Sequence, residues 1–497
     1  MSTPVHGKDA IRLCNKTVSD LANDIARPGY DRARLKPGIV HVGLGNFHRA
    51  HQAWYLHRLM QTGAALDWAI VGAGVRATDA VMREKLLAQD CLTTLIELDP
   101  DGISVEITGA MIDFLPVEEG NAALIRCIAD PAIRIVSLTV TEGGYFVSAQ
   151  SGGLDLAHPD IRHDIANPDA PRTVFGAIVA GLRVRWTSGE GPFTVQSCDN
   201  LKGNGDITRT AVVTLARQTD PDLADWIDAK GAFPNSMVDC IVPATGPAEI
   251  ALARKFGIDD AAPVTHENFR QWIIEDDFCA GRPDWDCVGA TFTPEVHTYE
   301  AMKIRILNAG HQVLANAGEL LSVETIAGCM ADRDIAALFA KVQNTEIAPL
   351  VGGTPEMTSL EYVALITSRF SNPEIHDTTR RVAFDGLSRH RGFVVPIIRD
   401  ALADGRPVDG LALVEALWAR MCAGVRENGS AIEANDPEWP ALAAAAEIAR
   451  EKPDTWLAQS HIYGDLARDE RFSQAFVRAL DMIWSEGARA AIRGYTG

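Results

Sequence analysis

The 497-residue chain is long enough for two or more domains with substantial cores, and its 47% hydrophobic and 23% charged content is ordinary for a soluble globular protein. A formal net charge of −20 argues against nucleic acid and anionic membrane as partners, since both are polyanions. The start, MSTPVHGKDAIRL, lacks the basic stretch and apolar core of a secretory signal, and no apolar run is long enough to span a bilayer.

Residues 1–36 are polar and irregular up to Lys36-Pro37-Gly38. Ile39, Val40 and Val42 then predict a short buried strand, followed at once by Gly43 and Gly45 and by a helix from about Phe47 to Met60. Strand, Gly-x-Gly and helix form the dinucleotide-binding arrangement. Gly43 allows the tight turn, Gly45 lets backbone approach a pyrophosphate, and the helix N-terminus faces the phosphates. The cofactor-side candidates are Gly43, Gly45 and the residues that follow them, Asn46, Phe47 and Arg49. The third glycine of the motif is replaced by His48, and a bare turn after a strand has the same letters.

WAIVGAGV, from Trp68, reads as a second buried strand with Asp79 just past its end. A carboxylate there accepts from ribose hydroxyls and repels a 2′-phosphate, which favours NAD over NADP. Asp79 or Thr78 also suits a helix N-cap before AVMREKLLAQ, and Arg76 keeps NADP open. CLTTLIEL and ISVEITG read as strands, NAALIRCIA as a helix, and IRIVSLTV as a strand ending near Glu142. TVFGAIVAGLRVRW is a helix, FTVQSCDN a strand closing on Asp199 and Asn200, and LKGNGDITRTAVVTLARQ a helix. Strands alternating with helices imply a parallel sheet whose ligands sit beyond the carboxyl ends of the strands. Gly45, Glu142 and Asn200 are therefore candidates for one crevice, although asparagine also favours turns.

From about Thr298 onward the pattern becomes helical, with AMKIRILNAGHQVLANAGELLSVETIAGCM the longest run. The expected fold is α/β, a Rossmann-type dinucleotide-binding domain over 1–290 followed by a mostly α-helical substrate domain over 291–497. YEAMKIRILNAGH reads as one amphipathic helix. At about 100° per residue, Asn308 lies roughly 140° from Lys303, with His311 between them at roughly 80°. Glu300 shares the azimuth of His311. A carboxylate, an amine, an amide and an imidazole on one face can abstract a proton and hold an oxyanion. A solvated polar face is the alternative. The Tyr299-x-x-x-Lys303 spacing matches short-chain dehydrogenases, but it stands in a different domain from the glycine turn, so Tyr299 reads as structural. Nine dispersed cysteines read as reduced thiols of a cytoplasmic protein and lack zinc-ligand spacing.

The stretches GLGNFHRAHQAWYLHRL, VSLTVTEGGY, FTVQSCDNLKGNG, FPNSMVD, FRQWIIEDDFCAGRPDW, YEAMKIRILNAGH and SRFSNPEIHDTTRRVAFDG resemble the polyol-specific long-chain dehydrogenases over essentially the whole chain after residue 37. The resemblance implies a monomeric enzyme, usually without a metal, that interconverts a sugar alcohol and its ketose with NAD. A mannitol-to-fructose reaction comes first, D-arabinitol second, and a hexuronate behind them. It assigns Lys303 as general acid/base and Asn308 with Asn200 as the amides that polarise the reacting oxygen. His311 fixes a substrate hydroxyl and helps hold the lysine. Glu300 and Glu142 pass the proton to solvent, and Asp239 and Arg381 contact substrate. Two positions depart from the family pattern: Cys240 stands where arginine is usual, and Arg389 replaces a lysine. Both bear on substrate preference, while Arg381 favours a neutral polyol. A non-catalytic nucleotide-binding protein is the competing class, and it has no need of a lysine base. A lysine, ordinarily titrating near 10.4, must be lowered to act as a base near neutrality, and burial beside a cationic nicotinamide does so.

Overall fold

The computed structural model describes residues 10–148 and 151–497, so the first nine residues, read above for a targeting signal, lie outside it. Two compact units divide the chain, Met1–His297 and Thr298–Gly497.

The first unit is built on a five-stranded sheet of β1 (Pro37–Val42), β2 (Ala69–Ala73), β3 (Met111–Phe114), β4 (Ile135–Leu138) and β5 (Thr194–Ser197). All are parallel, in the spatial order β3-β2-β1-β4-β5. β1, β2, β4 and β5 are buried nearly throughout because both faces of the sheet are covered. Val40, Val136 and Val195 pack under the helices Val174–Ser188 and Asn204–Thr219 on one face. Ile39, Ile70 and Ile135 face Leu56, Met60 and Trp272 on the other. The strand order reverses direction between β1 and β4, and a crevice at that switch point is where doubly wound sheets hold ligands.

Two expectations need correction. The runs at Thr93–Asp99 and Gly102–Thr108 are strands outside the parallel sheet. They form an antiparallel hairpin, with Asp99 opposite Gly102, that pairs further with Val264–Glu267. A parallel pair needs a long crossover, and the two-residue connection Pro100-Asp101 permits only a hairpin. The helix expected from Phe47 to Met60 is broken at His51 (φ −120°, ψ −92°) into Asn46–Ala50 and Gln52–Gln61. His48 stacks on His41 of β1 with ring centroids 3.4 Å apart, filling the space that a glycine leaves for close helix–strand packing.

The second unit is helical. Ala309–Leu320 is buried along its whole length, and Asp409–Met421 nearly so, which marks both as central core helices. Around them lie Arg333–Val342, Ser359–Phe370, Trp439–Glu451 and Glu470–Glu486. The long run ending in GCM is split after Leu320: Ser322 takes a positive φ of 62°, and the Thr325 hydroxyl caps a new helix at Gly328 N, 3.0 Å away. Helical regularity also fails at three π-turns, Lys303–Asn308, Gln343–Ile347 and His390–Val394. Among the described residues, no helix is long and apolar enough to cross a membrane.

Candidate active site

In the first unit, a cleft of about 660 Å³ opens at the carboxyl ends of the strands, lined by Gly43, Gly45, Asp79, Thr139 and Gly143 among others. Gly43 has φ +97°, and a Cβ there would lie 2.1 Å from the Thr139 carbonyl oxygen, so only glycine closes this turn. The Thr139 hydroxyl donates to the Gly43 carbonyl at 2.5 Å and ties the ends of β1 and β4 together. Nothing lies within 4 Å of a Cβ built on Gly45, which leaves that backbone approachable. A glycine cradle with open backbone fits the pyrophosphate of a dinucleotide. The helix that follows Gly45 is only five residues long, and within the turn the Gly43 N–H is held by Ala73 O at 3.1 Å and the Gly45 N–H by Gly43 O at 2.9 Å, which fixes its shape.

Asp79 opens the helix Asp79–Leu87, and its Oδ2 accepts from Val75 N and Arg76 N, each at 3.0 Å. The N-cap expectation is corrected: Thr78 holds the N-cap position without a side-chain cap bond, and Asp79, the first helical residue, lines the cleft and ties down the backbone that precedes the helix. Asn46, Phe47 and Arg49 are not among the cleft-lining residues. Arg49 is fully buried, and its guanidinium donates to Asn46 Oδ1 at 2.7 Å and to the Ala262 carbonyl. The Asn46 amide reaches Pro243 O and Thr245 Oγ1, at 2.8 and 2.9 Å. Phe47 stacks on His51. These three side chains build the turn from beneath.

Glu142 and Asn200 are exposed at the ends of β4 and β5. Asp199, not singled out from sequence, connects the two ends. Its carboxylate accepts from Val140 N and Thr141 N, each at 2.9 Å, and from the Tyr145 hydroxyl at 2.7 Å. Burial pushes the Asp199 carboxyl up to about 6 against the pull of these donors. Asp239 ends the strand Ser236–Asp239 and is buried, as is Cys240.

The helix Val296–Met302, which begins at the end of the first unit, leads straight into the π-turn Lys303–Asn308 of the second. Ala309 N–H bonds back to Ile304 O, five residues earlier. This overturns the azimuths expected for a regular helix. In an i→i+5 turn, five residues do what four do in an α-helix, so Lys303 and Asn308 stand at the two ends of one turn, close in azimuth. Glu300, Lys303, Asn308 and His311 are all buried. Asn308 Nδ2 and His311 Nε2 have no hydrogen-bond partner. Both atoms lie eight residues or fewer from a buried lysine and are able to meet a polar ligand.

His311 stacks on Phe370 with centroids 4.3 Å apart, and its Nε2 stands 4.0 Å from Asp377 Oδ2. Burial pulls the imidazole down to about 3 despite the nearby Asp377 carboxylate, so His311 is neutral near pH 7. Asp377 grips Arg381 in a bidentate pair, Nε to Oδ1 at 2.5 Å and Nη2 to Oδ2 at 2.7 Å. Asp377 was missed from sequence; its only signal was the four-residue spacing to Arg381. Arg389 is half-buried at the end of the short helix Gly386–Arg389. Tyr299 is buried, with its hydroxyl donating to Glu356. Among the described residues, no group of three or more histidine, cysteine, aspartate or glutamate side chains is placed to hold a metal ion.

Comparison with known proteins places these features in a family. Residues 37–287 match the mannitol dehydrogenase Rossmann domain, and residues 295–484 the mannitol dehydrogenase C-terminal domain. The chain is 55% identical over 475 residues to a mannitol 2-dehydrogenase of Cereibacter sphaeroides, across 96% of this chain and 99% of that one. A solved mannitol 2-dehydrogenase of Pseudomonas fluorescens, in a ternary complex with NAD and D-mannitol, is similar with a TM-score of 0.91 and 39% identity, covering 98% of this chain and 99% of that chain. A D-sorbitol dehydrogenase in substrate-free form is similar with a TM-score of 0.86 and 36% identity, covering 97% and 100%.

Proposed function

This chain belongs to the mannitol dehydrogenase family, and from that premise we propose that it interconverts mannitol and fructose with NAD, using Lys303 as the general acid/base. The observation that carries the reading is the pair of orphaned polar atoms, Asn308 Nδ2 and His311 Nε2, in the segment that carries the buried Lys303.

The Gly43–Gly45 backbone holds the pyrophosphate, and Asp79 receives the ribose hydroxyls through Oδ1, its Oδ2 being engaged by Val75 N and Arg76 N. A carboxylate at that point repels a 2′-phosphate and so selects NAD. Bound NAD supplies the hydride acceptor, and NADH the donor in reverse. Lys303, as a neutral amine, takes the proton of the reacting hydroxyl in polyol oxidation; as an ammonium it returns the proton in ketose reduction. Asn308 Nδ2 donates to the reacting oxygen as negative charge develops, and Asn200 supplies a second amide. Neutral His311 has Nε2 available for a neighbouring substrate hydroxyl. Glu300 and Glu142 pass the proton on to solvent. Asp239, Arg381 and Arg389 engage the remaining hydroxyls, with Arg381 pre-set by Asp377. Asn46, Phe47 and Arg49 serve the cofactor by shaping the turn. We assign the protein to the cytoplasm as a monomer; its nine cysteines are all free thiols, which fits a reducing compartment.

The test is a panel of polyols with NAD and of ketoses with NADH, followed by NADH absorbance. Mannitol and fructose turning over best is the expected result. Preference for D-sorbitol, as the D-sorbitol dehydrogenase neighbour invites, or for D-arabinitol or fructuronate, replaces the substrate and keeps the chemistry. No turnover with any of them revives the non-catalytic reading.

A further inference from the structure

The catalytic π-turn is propped by a side chain outside the site. Gln343 follows the helix Arg333–Val342 and opens the second π-turn, Gln343–Ile347, which packs against the first. It is fully buried, and its Nε2 donates to the Ile306 carbonyl, inside the catalytic turn, at 2.8 Å. Where a helix widens from i→i+4 to i→i+5, its carbonyls shift register; Ile306 O also meets the Ala309 N–H, so the Gln343 amide is a second donor on it.

Two further features hold Gln343 there. Gly310 lies between Asn308 and His311 in the sequence, and a Cβ on it would sit 2.5 Å from Gln343 Nε2 and 3.0 Å from Phe339 Cε2. The amide thus rests directly on catalytic-helix backbone. From the other side, Glu346 of the same π-turn caps the helix Asp409–Met421. Its oxygens accept from Gly410 N at 2.8 Å and Leu411 N at 2.9 Å, and from the Tyr495 hydroxyl at 2.8 Å. The second turn is clamped to a core helix and presents one amide to the first.

We propose that Gln343 is a positioning residue for the reaction: its bond to Ile306 O, seated against Gly310, holds the π-turn that brings Lys303 and Asn308 to one side of the helix. The inference rests on the reading of Lys303 as the acid/base. If the turn relaxed to a regular α-helix, the five-residue spacing would return the amine to roughly 140° from the amide. Neither Gln343 nor Gly310 needs to touch substrate for this to matter.

The test compares Gln343→Met, which keeps the bulk and loses the donor, with Gly310→Ala, which displaces the amide, and with Lys303→Ala. Each is measured for melting temperature, NADH binding by fluorescence, and kcat and KM for mannitol across pH. For Gln343→Met and Gly310→Ala we expect unchanged NADH affinity, kcat lower by on the order of a hundredfold, as misplacement of a reacting group costs, and a displaced alkaline limb of the pH profile. Loss of stability alone would lower the melting temperature and leave the kcat of the folded fraction unmoved. Parental kcat and pH profile in either folded variant, with Lys303→Ala inactive, overturns the role of Gln343 and leaves the site assignment standing. Turnover retained by Lys303→Ala overturns the assignment itself. If Gln343→Met does not fold, Gly310→Ala decides.

Discussion

Replacing Asn308 with leucine should make the enzyme more stable and nearly inactive. The amide is buried, and its Nδ2 has no partner. An unsatisfied buried polar group costs about 1–3 kcal/mol, and an apolar side chain of similar size removes that cost. For a domain the size of the helical unit, 1 kcal/mol moves the melting temperature by about 2–4 °C, so relief of ~1–2 kcal/mol raises its transition by about 2–8 °C. The same change removes a donor aimed at developing negative charge. Loss of one such donor costs roughly a hundredfold to a thousandfold in kcat, about 2.7–4 kcal/mol of transition-state stabilisation. The assay pairs calorimetric melting with kcat for mannitol oxidation. A variant that melts well below the parent, or that turns over at close to the parental rate, refutes the idea that this amide is kept unsatisfied for the substrate.

Acid should destabilise the fold. Burial holds His41, His266 and His311 down from an ordinary 6.5 to about 3, so the folded chain refuses protons that the unfolded chain takes. Their contribution is fully present above about pH 6.5 and falls away towards pH 3. Asp199, raised from 3.8 to about 6, runs the other way, its penalty easing as pH falls through 6. With these three and His48, which burial also pushes down, against Asp199 and Glu346, whose carboxyls burial raises, the urea midpoint should drop between about pH 7 and 5; a midpoint that rises on acidification contradicts this. Asp79→Ala should raise the NAD KM by about ten- to a hundredfold, the worth of hydrogen bonds to a charged group, and admit NADP; steady-state kinetics with both cofactors decide, and continued exclusion of NADP would move the selectivity elsewhere.

Much of this architecture is visible in the letters. Ile39, Val40 and Val42 announce a strand buried on both faces, and Gly43 a turn that tolerates no side chain. The hairpin was legible too, since Asp99-Pro100-Asp101-Gly102 leaves no room for a crossover. Arg49 misleads because charged residues at a glycine turn suggest a phosphate. Its guanidinium instead finds backbone and Asn46 partners only when distant segments close over it. The π-turn leaves no mark at all in KIRILN. One residue of backbone slip depends on what packs alongside, here the Gln343 amide, and local propensity does not encode it. Asp377 was hidden likewise, its meaning appearing only once Arg381 and His311 stood beside it.

The most direct measurement separates holding the cofactor from moving the proton. Lys303→Ala is titrated with NADH by fluorescence and assayed for single-turnover reduction of fructose. Parental affinity for NADH with the chemical step abolished is the expected outcome. Turnover surviving at a substantial fraction of the parental rate would mean that some other group carries the proton.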